Sequence, residues 1–550
     1  MHMRQLTLHT GFAVICSASV SAATPSPVET RILGPFTGHY AKLHPDNLTP
    51  QAIAYYGTDL GFSYEHRGKL QLLFGDTAAN ERGDPIQAST HGIYDDGFGT
   101  IDLKEWRNPA LISANHIPLI KLGQNPGTSE MAAINPGHAM EHFKTPLGGF
   151  SNGDREFGLF YTSKPQGCRV DADCDSGLSC DTGLGFAGER FDKPEGFTVA
   201  CIEGRPGCNA DTMIDKAGHA IEGSGFCSDR TSSVWANTDT GRLSAVAVKQ
   251  RIGLRSTTDP RIYADTRDWL TNKFANVTVR TVQDFDAQHR ASRGRPDYRP
   301  AAERGVNRRV LLWGRPGFIG VAATQRSLGL YFAYVDMPAG PGFAWDVHYF
   351  SGTDPNGAPL FSTREKDAIA VDLDATRDGN QTVETYDIVD QMSVAWVAPL
   401  KKWLMFYGGG MSRLPAPPLL PACGVLELFT GAECKLVATG NGAMHMRTAD
   451  NPWGPWSPPQ DLIAGGDPES EVLSDQYAVG GVLHHPRCVR EGCAPRTDSP
   501  DLPPGDYGFF YAATIIESWI KPAGKNVDVI WNASTWNPYR IILLRTRIQP

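Results

Sequence analysis

The residues best placed to do chemistry are two aspartates, Asp59 and Asp76, on either side of one short turn. Arg67-Gly68 reads as a two-residue turn between His66 and Lys69, with glycine supplying positive φ. In such a hairpin, facing residues share one constant sum of residue numbers. Asp59 with Asp76 has the same sum as His66 with Lys69, so an unbroken ladder sets the two directly opposite. Their Cβ atoms would then stand about 4.5–5.5 Å apart on one face. Like charges in that position weaken a sheet unless a cation or a shared proton compensates. A protonated acid beside an ionised carboxylate is what cleavage of a glycosidic bond requires. One carboxyl protonates the leaving oxygen, and the other activates water or attacks the sugar. Two other readings stay open: aspartates that cap turns through backbone N–H groups, and a calcium ion held between them.

Five further polar residues stand at comparable points along the chain and are candidate substrate contacts: Asp95, Asp96, Arg315, Gln391 and Asp475. Each also suits a turn. Trp106, Trp313, Trp345 and Trp536 suit either sugar stacking or packing between sheets. The chain has no Gly-x-Ser-x-Gly elbow, no P-loop and no His-Glu-x-x-His, so no cofactor and no catalytic metal is expected.

The elements that must hold these residues recur. Five segments show a small-residue strand, a turn, then an apolar aromatic strand: Gly57–Phe62 with Leu70–Phe74, Thr145–Phe150 with Phe157–Tyr161, Gly314–Ala322 with Leu328–Val335, Gln391–Val397 with Trp403–Tyr407, and Gln476–Leu483 with Tyr507–Ala513. Small residues suit strands crowded around an axis, and bulky ones suit strands packed between neighbouring sheets. The expected fold is all-β, a propeller with large loop insertions spanning residues 30–550, closed by the C-terminal strand Arg540–Arg547. A β-sandwich with similar hairpins is the competing architecture. Composition agrees with short strands and many turns: 58 glycines, 40 prolines and 41% hydrophobic residues in 550.

The net charge of −9 disfavours a nucleic-acid partner and leaves a neutral polysaccharide open. Residues 1–22 read as a secretory signal, with Arg4, an apolar Gly11–Val20 stretch and small residues before a cleavage point after Ala22. Cys16 has a bulky Ile15 before it, which argues against a lipid anchor. No later stretch is long and apolar enough to span a membrane. The expectation is a secreted monomer, extracellular or periplasmic. Removing the signal leaves ten of the 11 cysteines, six of them between Cys168 and Cys227, with Cys423 near Cys434 and Cys488 near Cys493. Clustered, even cysteines in an exported chain imply disulfides. The gaps between Cys168, Cys174 and Cys180 are wider than a zinc knuckle uses. Residues 168–227 are therefore expected to form a Cys-rich insertion. Asn47, Asn276, Asn380 and Asn532 open glycosylation sequons.

Several motifs together carry a resemblance: Gly57-Thr-Asp59-Leu-Gly-Phe, Leu73-Phe-Gly-Asp76-Thr77, Thr145-Pro-Leu-Gly-Gly-Phe150, Trp313-Gly-Arg315, Ser393-Val-Ala-Trp396, Trp403-Leu-Met-Phe-Tyr407, Asn451-Pro-Trp-Gly-Pro-Trp-Ser457 and Ser534-Thr-Trp-Asn-Pro-Tyr539. From about residue 50 onward, outside the Cys-rich insertion, the chain resembles the family known as domain of unknown function 4185. Part of that family is glycoside hydrolase family 183, the endo-D-arabinanases. The resemblance implies five blades, an arabinan-type furanoside polymer as substrate, and Asp59 and Asp76 as the catalytic pair. The insertion departs from the family pattern and bears on substrate identity. A non-catalytic carbohydrate-binding propeller is the alternative.

Overall fold

The computed structural model describes residues 24–37, 57–78, 97–122, 144–152, 155–162, 167–168, 170–173, 179–181, 225–228, 234–235, 242–250, 274, 276–282, 306–315, 330–338, 347–363, 367–371, 373, 383–415, 444–463, 509–536 and 540–550. These residues are all-β, with three single-turn 3-10 segments at Pro109–Leu111, Asp171–Asp173 and Glu517–Trp519.

In chain order, β1 (Ser26–Pro35) is followed by β2 (Gly57–His66), β3 (Lys69–Ala78), β4 (Gly97–Asp102) and β5 (Lys121–Leu122), and β2 to β5 form one sheet in sequence order. Next come β6 (Lys144–Asn152), β7 (Arg155–Thr162), β8 (Gly167–Cys168), β9 (Ser179–Asp181), β10 (Gly225–Ser228), β11 (Val234–Trp235) and β12 (Arg242–Gln250). Of these, β6, β7, β12 and β11 make the second sheet, and β8, β10 and β9 make a small separate one. The third sheet runs β13 (Asn276–Val282), β14 (Val306–Arg315), β15 (Tyr331–Pro338), β16 (Val347–Thr353) and β17 (Pro359–Ser362). The fourth is β18 (Val383–Val397), β19 (Lys402–Pro415), β20 (Met444–Ala449) and β21 (Gln460–Ile463). The fifth contains β22 (Phe509–Ile515), β23 (Lys521–Ala523), β24 (Asn526–Trp536) and β25 (Arg540–Gln549), and β1 pairs along β25 as its outer strand. Described pairings are antiparallel except β7 with β12, which is parallel.

The central strands explain the apolar runs seen in the sequence. On β25, Ile542 and Leu544 pack with Phe406 and Trp531 against the fourth sheet, while Ile541 and Leu543 pack with Leu72 and Phe74 of the first. β19 alternates likewise: Leu404 and Phe406 face the fifth sheet, and Trp403, Met405 and Tyr407 face the third. On β14, Val310 and Leu312 meet Leu147 and Phe157 of the second sheet, and Leu311 and Trp313 meet Trp396 of the fourth. A strand covered on both faces needs no polar side, so it reads as a continuous apolar run.

The first strands form a cycle: β2 contacts β6, β6 contacts β13, β13 contacts β18, β18 contacts β22, and β22 contacts β2. They run in one sense. Asp59 and Tyr511, both near their strand starts, are bonded, and His66 and Ser151, both near strand ends, are bonded 2.8 Å apart.

Several expectations change. The first strand of the third sheet is β13 rather than Gly314–Ala322, of which only Gly314 and Arg315 are described. Arg315 instead ends β14, across from Asn276, because Val306–Arg315 pairs as the second strand. Of the expected second strand Tyr507–Ala513, Phe509–Ala513 instead lies in β22, the first of the strands β22 to β25, while Gln476–Leu483 lies outside the described residues. The fifth sheet is completed by N-terminal β1, which begins at Ser26, before residue 30, and β25 stays beside its sequence neighbour β24. Asn532 is fully buried, so its sequon is closed in the folded chain. Trp313 is buried in the core, donating to the Pro452 carbonyl, and Trp453 and Trp456 of the Asn451–Ser457 motif pack beside it. The signal segment, Cys174, Cys201, Cys208, Cys423, Cys434, Cys488, Cys493, Trp345, Asn47 and Asn380 lie outside the described residues. Backbone pairing sets Cys180 across from Cys227. No described helix is long and apolar enough to cross a membrane.

Candidate active site

The β2–β3 hairpin begins as the sequence predicts, with His66 across from Lys69 and Phe62 across from Leu73. It then slips. Leu60 pairs with Phe74 and Asp59 with Gly75, so Asp59 does not face Asp76 directly. The cause is an extra residue at Leu60-Gly61, where both take left-handed conformations, φ 67° and 65°. A second irregularity follows, in which Asp76 and Thr77 on β3 span the place of Thr58 on β2.

The same device recurs. β6 carries an extra residue between Pro146 and Gly148, β18 between Val389 and Met392, and β22 between Tyr511 and Thr514. Four of the five first strands are thus bulged, β2, β6 and β22 within their first five residues and β18 at its middle, and bulges bend a strand and re-aim its side chains.

Asp59 is 8% exposed. Its Oδ2 accepts a 2.8 Å hydrogen bond from the Tyr511 hydroxyl, 452 residues away in sequence. Leu60 after Asp59 and Ala512 after Tyr511 both have positive φ, and their side chains pack together with Phe62. A buried Leu in this region is a conformational outlier that its surroundings must enforce, a cost found mainly at functional sites. Here the enforcement is visible. The Asn532 amide on β24 donates to the Leu60 carbonyl at 3.4 Å and the Gly61 carbonyl at 3.2 Å. Thr58 donates to the Gly75 carbonyl at 2.9 Å, fixing the strands on the other side of Asp59.

Gln391 sits inside the β18 bulge, 6% exposed, and its Oε1 has no hydrogen-bond partner among the described residues. Gly408, the β19 residue beside that bulge, approaches Tyr511 so closely that a Cβ there would lie 3.4 Å from the Tyr511 Cα. Asp59 and Gln391, both picked from sequence, therefore sit on strands flanking β22, either side of Tyr511. For Asp76 and Arg315 the backbone alone is described, and Asp95, Asp96 and Asp475 lie outside the described residues. Tyr511 and Asn532 were not foreseen. Their partners lie more than 400 residues away, and only Gly61 within an otherwise regular strand hinted at the bulge that joins them.

A second polar cluster occupies the far end of the cycle. Arg280 on β13 donates to the carbonyls of Val394 at 2.8 Å and Ile515 at 2.6 Å, and to Ser393 Oγ at 2.8 Å. Its Nε lies 3.7 Å from Glu517 Oε1. The Glu517 side chain is 39% exposed. Desolvation raises its carboxyl above the ordinary 4.5, Arg280 opposes that rise, and Glu65 adds to it. Nearby, Tyr64 donates to Glu156 at 3.4 Å; burial, then the Glu156 charge and hydrogen bond, push its phenol well above its ordinary value. Among the described residues no group of three or more His, Cys, Asp or Glu side chains is arranged to hold a metal.

No protein-family profile and no curated protein matches the chain. Among solved structures, a Bacteroides ovatus protein provisionally described as a hydrolase matches over 90% of this chain and 87% of its own, at 10% identity and a TM-score of 0.36.

Proposed function

We propose that the chain is an exported glycoside hydrolase built on a five-bladed β-propeller, acting on a furanoside polysaccharide, with endo-cleavage of D-arabinan as the leading reaction. The cycle of first strands supports the propeller, each sheet being one blade. The observation that carries the catalytic reading is Asp59 itself. It is a buried carboxylate near the start of a first strand, bonded to Tyr511 of the neighbouring first strand, and each of the two residues immediately precedes a positive-φ residue. Asp76, one residue past its cross-strand partner, supplies the second carboxyl. One carboxyl protonates the leaving oxygen while the other activates water. Inversion is the favoured outcome: retaining enzymes need carboxyls roughly 5 Å apart and inverting ones about 6.5–9.5 Å, and Asp59 and Asp76 are offset along the hairpin rather than directly opposed. Gln391 accepts from a sugar hydroxyl, and Arg315 lies at the same end of its blade.

Incubating the full chain with D-arabinan, galactan and arabinoxylan, with product chromatography, tests this reading. Oligosaccharides released from D-arabinan support it. Intact polymer that the chain nevertheless binds would make it a carbohydrate-binding propeller instead.

A further inference from the structure

We infer that Tyr511 is the positioning residue of this site: its hydroxyl holds Asp59 as the ionised carboxylate and so gives Asp59 the role of base, leaving Asp76 as the proton donor. The inference rests on the catalytic reading above. Its ground is the 2.8 Å bond from Tyr511 to Asp59 Oδ2 and the backbone that enforces it. Tyr511 sits immediately before a residue at φ 52°, and Asp59 immediately before one at φ 67°. Leu60 and Ala512 pack together, with Tyr511 against them, so the two bulges brace each other. Such an arrangement stores strain to aim one hydroxyl at one carboxylate.

A phenol at ordinary pH keeps its proton and can offer it to a carboxylate, which favours the charged form. A carboxyl held charged cannot serve as the acid at the start of the reaction. In the resulting step Asp59 takes a proton from water as the water oxygen bonds to the anomeric carbon. The glycosidic bond breaks, and the leaving oxygen takes the proton of Asp76. Solvent exchange then returns a proton to Asp76 and removes one from Asp59. Among the described residues, the other titratable positions on elements packed against β2 at this end are Asp76 on β3, Lys144 on β6 and Arg540, which opens β25 beside the Ile541 that meets Gly61.

The test is a carboxyl ¹³C NMR titration of the full chain labelled at aspartate, with the Asp59 signal assigned by its loss in Asp59→Asn. Tyr511→Phe should raise the Asp59 midpoint by about one pH unit or more. Biosynthetic 3-fluorotyrosine, a more acidic phenol of nearly the same shape, should lower it and covers the case in which Tyr511→Phe does not fold. Unchanged midpoints in both overturn the inference. These readouts need no substrate, so they stand apart from the glycosidase reading. With a cleaved substrate, the acid limb of kcat in Tyr511→Phe should move up with the midpoint while KM changes little; a change in KM alone would make Tyr511 a binding residue and contradict the assignment.

Discussion

Asp59 stands across from Gly75, and a Cβ on Gly75 would come within 2.5 Å of its Oδ1 and 2.8 Å of Leu60 Cδ1. Glycine at 75 is what lets a carboxylate lie over the partner strand. Gly75→Ala should therefore push Asp59 off Tyr511 or force the strands apart. The expected cost is about 1–3 kcal/mol in urea denaturation, as for overpacking in a filled core, with loss of any hydrolysis out of proportion to the loss of folded protein. Full stability with full activity would mean that Asp59 can sit elsewhere.

The Leu60–Gly61 bulge is propped by Asn532, which is wholly buried. Asn532→Ala leaves two carbonyls without that donor and opens a small void. A loss of about 1–3 kcal/mol is expected. The same burial predicts that the chain secreted from a glycosylating host carries no glycan at Asn532, which peptide mapping would check.

Arg280 ties three sheets at the opposite end of the cycle, through Val394, Ser393 and Ile515. Ser393 Oγ also accepts from the Ile515 amide at 3.0 Å, so the three strands share one network. Arg280→Met keeps the aliphatic bulk but removes every donor. It should cost about 2 kcal/mol or more. Arg280→Lys should recover only part, because an ammonium cannot serve carbonyls and hydroxyl from one planar fork.

Glu517 gives a pH signature. Its carboxyl is raised above 4.5 in the folded chain, by desolvation first, with Arg280 opposing and Glu65 reinforcing. The folded state therefore holds its proton to higher pH than the unfolded state does. Stability from this group is present below 4.5 and is lost as pH rises through the raised folded value. Glu517→Gln should match the parent near pH 4 and become relatively more stable as pH rises towards 7. Melting temperatures across that range read the difference, and parallel curves would contradict the assignment.

The sheets were largely legible because the physics that makes them is local. Runs such as Trp403–Tyr407 and Val310–Trp313 are apolar on both faces, as strands between two neighbours must be. Three of the five first strands, β2, β6 and β18, could be read from small residues followed by aromatics. β13 could not, because Asn276–Val282 lacks that signature and its partner β14 absorbed the pattern. At the site, Asp59 was legible as a polar residue near a strand start, while Gln391, expected to open its strand, lies inside the bulge at the middle of β18. The Asp59–Asp76 pairing misled because hairpin counting assumes an unbroken ladder, and the bulge at Gly61 shifts the register by one residue over Asp59 and Leu60 before a second irregularity restores it at Gly57. Tyr511 was invisible because nothing local links it to a strand 452 residues earlier.

The central claim is that Asp59 and Asp76 act together on a glycosidic bond, and the most direct measurement is turnover of D-arabinan by the parent, Asp59→Asn and Asp76→Asn, with the anomeric form of the first product followed by NMR. Each variant should stay folded and lose roughly 10²–10⁴-fold in kcat, and the parent's first product should have the inverted configuration. Near-parental turnover in either variant would remove that residue from catalysis and contradict the paired-carboxylate mechanism.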